Sequence, residues 1–119
     1  MKIIKIDNIT KKNIAFKSFI NKVYGYEWNV ADGYIAWSGK HPIGILAFTK
    51  LINSSDIKME LIAVDAEFQN RKVATKMLTK LKDDFKNVHI YAHPYQCYNQ
   101  ALDNDKLLHL FKQNGINIW

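Results

Sequence analysis

Residues 61–81 read LIAVDAEFQNRKVATKMLTKL and place a strand, a turn and a helix in succession. The apolar run at 61–64 is typical of a buried strand, and the acidic residues Asp65 and Glu67 belong to the turn that follows it. From Arg71 onward, apolar residues recur with the 3.6-residue period of a helix. Backbone amides at a helix N-terminus attract anions, and Arg71 is the only arginine of the chain. The stretch therefore predicts a binding site for a phosphate or a pyrophosphate.

The composition predicts one folded domain covering residues 1–119. Apolar residues make up 48% of the chain, and a chain of this length can bury one core. No apolar run approaches the roughly 20 residues of a membrane span, and residues 1–7 lack the long apolar segment of a signal peptide. Because Cys97 is the only cysteine, no intrachain disulfide can form, and a reducing cytoplasmic location is expected.

The net charge of +6 at pH 7 leaves two interpretations of the surface open. Basic surfaces are typical of proteins that bind nucleic acids, so a nucleic-acid-binding module is one alternative. The chain is also rich in Lys together with Asn, Ile, Tyr and Phe, a bias that AT-rich coding produces by itself. We favour an ordinary solvated surface and do not expect nucleic acid as the partner.

Apolar patterning along the rest of the chain predicts further strands and helices. The strands are expected at 2–6, 34–38, 43–51, 57–64, 88–92 and 116–119, and the helices at 10–25, 71–85 and 104–113. The turn at 39–42 joins two of these strands into a hairpin. The unit at 57–92 is a strand–helix–strand crossover, which pairs two parallel strands. With the other strands antiparallel, the predicted fold is mixed α+β.

Residues 64–74 resemble the central motif of the GNAT (Gcn5-related) N-acetyltransferases. In that family a strand ends in a Val-Asp-Pro-like turn, followed by Gln or Arg, two residues, Gly, one residue, and Gly or Ala. The register matches, with Lys72 in place of the first glycine. The predicted hairpin at 34–44 also looks like the family's second and third strands.

The C-terminal part of the chain resembles the same family more distantly. GNAT proteins typically show Asn, Ala, Tyr and Gly-Phe at a fixed spacing, where this chain has Asn104, Leu107, Phe111 and Gly115-Ile116. The resemblance spans roughly residues 34–116. It implies a mixed, mostly antiparallel sheet with one parallel strand–helix–strand unit and helices on both faces.

The resemblance implies acetyl-CoA as cosubstrate. In the family, the strand that corresponds to residues 57–64 separates from the next parallel strand. Its exposed backbone then pairs with the pantetheine arm of the coenzyme. The pyrophosphate lies on amides at the helix N-terminus. The implied coenzyme-binding residues are Ile62, Val64, Gln69, Asn70, Arg71, Lys72, Val73, Ala74, Thr75, Asn104 and Phe111.

The implied reaction is direct attack by a neutral primary amine on the acetyl thioester in a ternary complex, which needs a base. Glu60 is the candidate base, because it lies four residues before Val64 on the predicted strand and is expected to share its face. His89 and Tyr91 on the neighbouring strand are lesser candidates.

Phe111 raises a question about the general acid. The family's usual tyrosine at this position gives a proton to the departing sulfur, and phenylalanine cannot. Tyr98 is the candidate acid, with Tyr95 and Cys97 as alternatives. Thiols have a pKa of about 8.5, so the thiolate can also leave without an acid. A coenzyme-binding or interaction protein with weak catalysis is therefore an alternative function on the same fold.

The identity of the acceptor amine stays open, whether a small molecule, a peptide or a protein. An aromatic loop falls where GNAT acceptors often bind, so Tyr26, Glu27 and Trp28 are the candidate acceptor-binding residues. No metal site is expected, because the spacing of His93 and Cys97 is not diagnostic. A monomer or a homodimer is expected.

Overall fold

The computed structural model describes residues 1–7, 32–51, 54–68, 72–92 and 104–118, which form a six-stranded sheet and two α-helices. The helix predicted at 10–25 lies outside the described residues. The strands are β1 (Lys2–Asp7), β2 (Asp32–Ser38), β3 (His41–Lys50), β4 (Ile57–Val64), β5 (Ile90–Ala92) and β6 (Asn117–Ile118). The helices are α1 (Val73–Asp84) and α2 (Asn104–Gln113), and a 3-10 turn covers Ala66–Phe68.

The strands lie in the sheet in the order of the sequence, from β1 at one edge to β6 at the other. Strands β1 to β4 pair antiparallel, whereas β4 and β5 pair in parallel through the crossover that contains α1. This confirms the predicted mixed α+β sheet. Strand β6 also runs parallel to β5, so α2 forms a second crossover that the sequence did not predict. A strand of two residues carries almost no alternation from which to predict its pairing.

Both helices contribute to one apolar cluster on a single face of the sheet. Helix α2 contributes Leu107 and Phe111. Helix α1 buries the face that its period predicts, through Val73, Met77, Leu78 and Leu81. On the opposite face, Ile35, Ile45 and Leu61 lie outside this cluster yet are at most 1% exposed. A sheet buried on both faces agrees with the predicted architecture.

A β-bulge in β4 reverses the alternation of its side chains partway along the strand. Ala47 of β3 lies opposite Leu61, and the next residue of β3 lies opposite Met59, so Glu60 is the extra residue. Met59 before the bulge and Ile62 after it therefore belong to the same apolar cluster. Odd-numbered residues of β4 before the bulge and even-numbered residues after it therefore face the same core.

The parallel ladder between β4 and β5 covers the beginning of β4. Ile57 pairs with Ile90, and Lys58 pairs with Tyr91. Strand β4 continues for six further residues to Val64 without a β5 pair inside the described ranges. This arrangement agrees with the separation of the two strands that we expected.

A buried tyrosine connects the sheet to the C-terminal end of α1. Tyr34 of β2 is fully buried, and its hydroxyl donates to Asp84 Oδ2 at 2.7 Å. Burial raises the pKa of Tyr34 far above its ordinary value, and the adjacent Asp84 carboxylate raises it further. Lys80 lies 3.6 Å from the other oxygen of the same carboxylate.

We expect the wild-type protein to lose more stability above pH 10 than the variant Tyr34→Phe. The unfolded tyrosine ionises near pH 10, whereas the raised pKa keeps Tyr34 neutral in the folded protein. The unfolded state then binds fewer protons, so the free energy of unfolding falls by about 1.4 kcal/mol per pH unit through this group. Urea titrations at about pH 9 and about pH 11 measure the two decreases, and equal decreases in both proteins would contradict the prediction.

Candidate functional site

The turn that follows β4 is closed by Asp65. Its buried carboxylate accepts the Glu67 N–H at 3.2 Å, and its carbonyl accepts the Phe68 N–H at 2.8 Å. The Asp65 N–H donates to the Ile43 carbonyl at 2.8 Å, which attaches the turn to β3. Local side-chain bonds of this kind are the reason that Asp favours turns, and here they fix the direction in which the chain leaves β4.

Helix α1 is preceded by a lysine in the left-handed conformation. Lys72 has φ 61° and ψ 24°, a region that favours glycine, and it stands where the central motif has its first glycine. The Lys76 N–H donates to the Lys72 carbonyl at 3.0 Å, so the amides of residues 73–75 precede the helix's own hydrogen-bond ladder. These amides are donors at the positive end of the helix dipole, which is what an anion site requires.

A glycine on β3 allows α1 to approach the sheet closely. A methyl group on Gly44 would lie 2.9 Å from Val73 Cγ1 and 3.1 Å from Met77 Cε. Gly44 is also the cross-strand partner of Val64, the last residue of β4. The missing side chain therefore sets the first turn of α1 close to the C-terminal end of β4.

A cleft of about 260 Å³ lies between the first turn of α1 and one face of α2. Strand β4 and the turn after it contribute one residue each. The lining residues are Val64, Phe68, Lys72, Val73, Ala74, Thr75, Lys106, His109, Leu110 and Gln113.

The lining combines apolar walls with basic side chains. Val64, Phe68 and Leu110 supply apolar surface, whereas Lys72 and Lys106 supply positive charge. None of the lining residues found in the described part of the chain is acidic. Charges beside apolar walls act through a lower effective dielectric than charges in open water, so an anion is attracted more strongly. A ligand that carries an anionic group and a longer neutral part fits this chemistry.

A family model described as the acetyltransferase (GNAT) family matches residues 10–116. The chain belongs to the GNAT family. This confirms the resemblance of the central motif, and the match extends beyond the predicted hairpin at 34–44 to residue 10. Comparison with curated proteins finds no match.

Several solved structures share the GNAT fold with this chain at low sequence identity. An aminoglycoside acetyltransferase from an uncultured soil metagenomic sample has a TM-score of 0.65 at 13% identity, covering 98% of this chain and 91% of its own. A GNAT family protein from Streptococcus pneumoniae has a TM-score of 0.65 at 14% identity, with 98% and 87% covered. An acetyltransferase from Vibrio fischeri has a TM-score of 0.57 at 16% identity, with 77% and 94% covered. They confirm the predicted fold.

The cleft brings together part of the coenzyme site predicted from the GNAT pattern. Ile62 and Phe111 are fully buried in the apolar cluster, and α2 begins at Asn104. The predicted residues that line the cleft are Val64, Lys72, Val73, Ala74 and Thr75. The predicted residues outside the described part of the chain are Gln69, Asn70, Arg71, Tyr98, Tyr26, Glu27 and Trp28.

The expectation that Glu60 shares the face of Val64 is wrong, because the bulge lies at Glu60 itself. The Glu60 carboxylate accepts a hydrogen bond from Thr49 Oγ1 at 2.9 Å and lies 3.8 Å from Lys58 Nζ. Thr49 and Lys58 are cross-strand partners next to the Phe48–Met59 pair of the cluster, so they point to the opposite face. The carboxylate of Glu60 therefore lies on the face away from the cleft.

The α2 side of the cleft was missed by the sequence prediction. Lys106, His109, Leu110 and Gln113 follow the spacing i, i+3, i+4, i+7, which places them on one helix face. The spacing was visible in the sequence, but nothing in it showed that this face lies opposite α1. Phe68 was missed because its turn carries no periodic signal.

The part of the chain that the structure describes contains neither a membrane-spanning helix nor a metal-binding cluster. Neither α1 nor α2 is long and apolar enough to cross a membrane. No group of three or more His, Cys, Asp or Glu side chains within the described ranges could hold a metal ion.

Replacing Lys72 by glycine should stabilise the GNAT domain relative to Lys72→Ala. Both variants lose the ammonium group, but only glycine adopts φ 61° without a steric cost. That cost is about 1 kcal/mol for an L-residue in the left-handed region. Urea titrations of the two variants measure the difference directly, with the alanine variant as the matched control. Equal unfolding midpoints would show that the strain is not present.

Proposed function

We propose that the protein transfers the acetyl group of acetyl-CoA to a primary amine by direct attack in a ternary complex. The observation that carries this proposal is the cleft, in which helix amides, basic side chains and an apolar wall meet at the end of β4. Acetyl-CoA offers the matching chemistry, because it joins a pyrophosphate to a long, mostly neutral arm. In the reaction a C–N bond forms and the C–S bond breaks, and the proton of the amine passes to a base.

The amides of residues 73–75 and the Lys72 side chain are proposed to hold the pyrophosphate. They lie at the positive end of α1, and Lys72 lines the cleft beside them. Gln69, Asn70 and Arg71, which precede this turn, are proposed to contribute to the same site, and Asn104 and Phe111 to contribute from α2. The backbone near Ile62 and Val64 is proposed to pair with the pantetheine arm, since this part of β4 lies beyond the last residue that pairs with β5.

Glu60 is proposed as the base that accepts the amine proton. Its carboxylate lies at the bulge of β4, held by Thr49 Oγ1, and is reachable by solvent because the side chain is 23% exposed. From the face away from the cleft it can accept a proton through a water molecule. Tyr98 is proposed as the acid for the departing thiolate.

The acceptor is proposed to be a primary amine bound by Tyr26, Glu27 and Trp28. Two of the proteins with similar solved structures are aminoglycoside acetyltransferases, so small molecules with several amino groups belong among the candidates beside peptides and proteins. We propose that the reaction takes place in the cytoplasm, on a monomer or a homodimer.

A coenzyme-binding protein with weak catalysis is the second candidate function. Phe111 stands where the family has its proton-donating tyrosine, and its ring has no hydroxyl. The ring is 0% exposed and belongs to the core cluster, so its position serves packing whether or not catalysis takes place.

Calorimetry with acetyl-CoA and a thiol-release assay against aminoglycosides, polyamines and peptides test the proposal together. We expect coenzyme binding and amine-dependent thiol release. Glu60→Gln should lower kcat by about 100-fold without weakening coenzyme binding, whereas Asp83→Asn, at an exposed position of α1, should leave both unchanged. Binding without release for any amine would favour the second candidate function. No binding at high micromolar coenzyme would overturn both.

A further inference from the structure

One face of α2 forms a basic wall across the cleft from the first turn of α1. Lys106, His109 and Gln113 lie on this face and line the cleft with Leu110 between them. From residue 106 to residue 113 the helix rises by about 10 Å, so the wall has the length of a nucleotide rather than of a single ion. Every polar side chain on it can donate a hydrogen bond.

Among the described residues, no carboxylate lines this wall. Asp65 is buried in the turn after β4, where its carboxylate accepts the Glu67 N–H. Glu67 and Asp105 are exposed and are not lining residues of the cleft. Within the described ranges, this side of the cleft therefore presents basic and neutral side chains and no acidic one.

The first turn of α1 and the wall on α2 offer two separate sets of donors. The proposed function uses the first set, the amides of residues 73–75 with Lys72, for the pyrophosphate. Coenzyme A carries one further anionic group, the phosphate monoester on its ribose. This group is left without a partner unless a second set of donors lies within reach.

We infer that Lys106 and His109 bind the ribose phosphate monoester and make the protein selective for coenzyme A over dephospho-coenzyme A. This inference rests on the proposed function, because it places the pyrophosphate of the same ligand on α1. Lys106 supplies a point charge, and His109 supplies a ring N–H one helical turn further along the wall. Gln113 extends the same face at its C-terminal end with an amide donor.

Calorimetry with coenzyme A and with dephospho-coenzyme A tests this inference, because the two ligands differ in the phosphate monoester alone. We expect the wild-type protein to bind coenzyme A at least tenfold more tightly. Lys106→Ala and His109→Ala should each reduce this preference about three- to tenfold, mainly by weakening the binding of coenzyme A. Lys106→Arg should keep most of it, because the charge and the donors remain.

Lys112→Ala is the matched control, since Lys112 is exposed on the same helix but is not among the lining residues of the cleft. It removes the same charge and should leave the preference unchanged. Equal binding of the two ligands by the wild-type protein, or an equal loss in the control, would overturn the inference while leaving the proposed function intact. Binding of neither ligand would overturn the proposed function and the inference with it. Thermal unfolding of each variant shows that the fold is retained.

Discussion

Truncating Phe111 to alanine should destabilise the protein by about 3–5 kcal/mol, a large share of the usual stability of a small domain. The ring is fully buried and packs in the cluster that joins α2 to the sheet. Its removal leaves a cavity that the surrounding side chains can fill only in part. Urea titration measures the loss. Leu108→Ala is the matched control on the same helix, because Leu108 is only half-buried and should cost about 1 kcal/mol.

Phe111→Tyr separates packing from catalysis at the same position. Tyrosine keeps the ring and adds only the hydroxyl that the family's usual residue carries. We expect thiol release to rise with this variant and the unfolding midpoint to change far less than in Phe111→Ala. An unchanged rate in a folded variant would show that the thiolate leaves without an acid at this position.

Gly44→Ala should destabilise the protein by about 2 kcal/mol and weaken the binding of acetyl-CoA. The new methyl group would lie 2.9 Å from Val73 Cγ1, closer than side chains tolerate. Valine is stiff about χ1, so the first turn of α1 must move away from the sheet. Because Val73 also lines the cleft, the change reaches the proposed coenzyme site. Urea titration and calorimetry measure the two effects.

The double variant Gly44→Ala/Val73→Ala distinguishes this collision from a general sensitivity of β3. Removing the methyl groups of Val73 makes room for the new one, so the double variant should be more stable than the sum of the two single changes predicts, by about 1 kcal/mol. Additive losses would show that the two residues do not collide. Gly39→Ala is a further control, because a methyl group there meets open space and only the backbone conformation opposes it.

The fold could be predicted from the sequence wherever the signal is local. Helix α1 shows the 3.6-residue period over three turns, and the hairpin of β2 and β3 is marked by its turn at Gly39. The turn at Asp65 and the start of α1 could be predicted for the same reason. The short strand at the C-terminal end was expected, but its parallel pairing with β5 could not be predicted, because that pairing depends on where α2 returns the chain.

Of the residues that line the cleft, those at the start of α1 were named from the sequence, and those on α2 were not. Lys72 was singled out because it replaces a glycine, and its φ of 61° shows why glycine is common there. His109 and Lys106 carry no such signal, since their place in the cleft depends on where α2 lies relative to α1. Glu60 was placed on the wrong face, because residues 61–64 are apolar throughout and their pattern fits both parities of the strand.

The bulge at Glu60 also bears on the kinetics of the proposed reaction. It turns the candidate base to one side of the sheet, while the cleft proposed for the coenzyme opens on the other. An acceptor that approaches Glu60 therefore does not cross the route by which the coenzyme enters. For the proposed reaction we therefore expect random order of addition, because neither substrate must arrive first to leave room for the second.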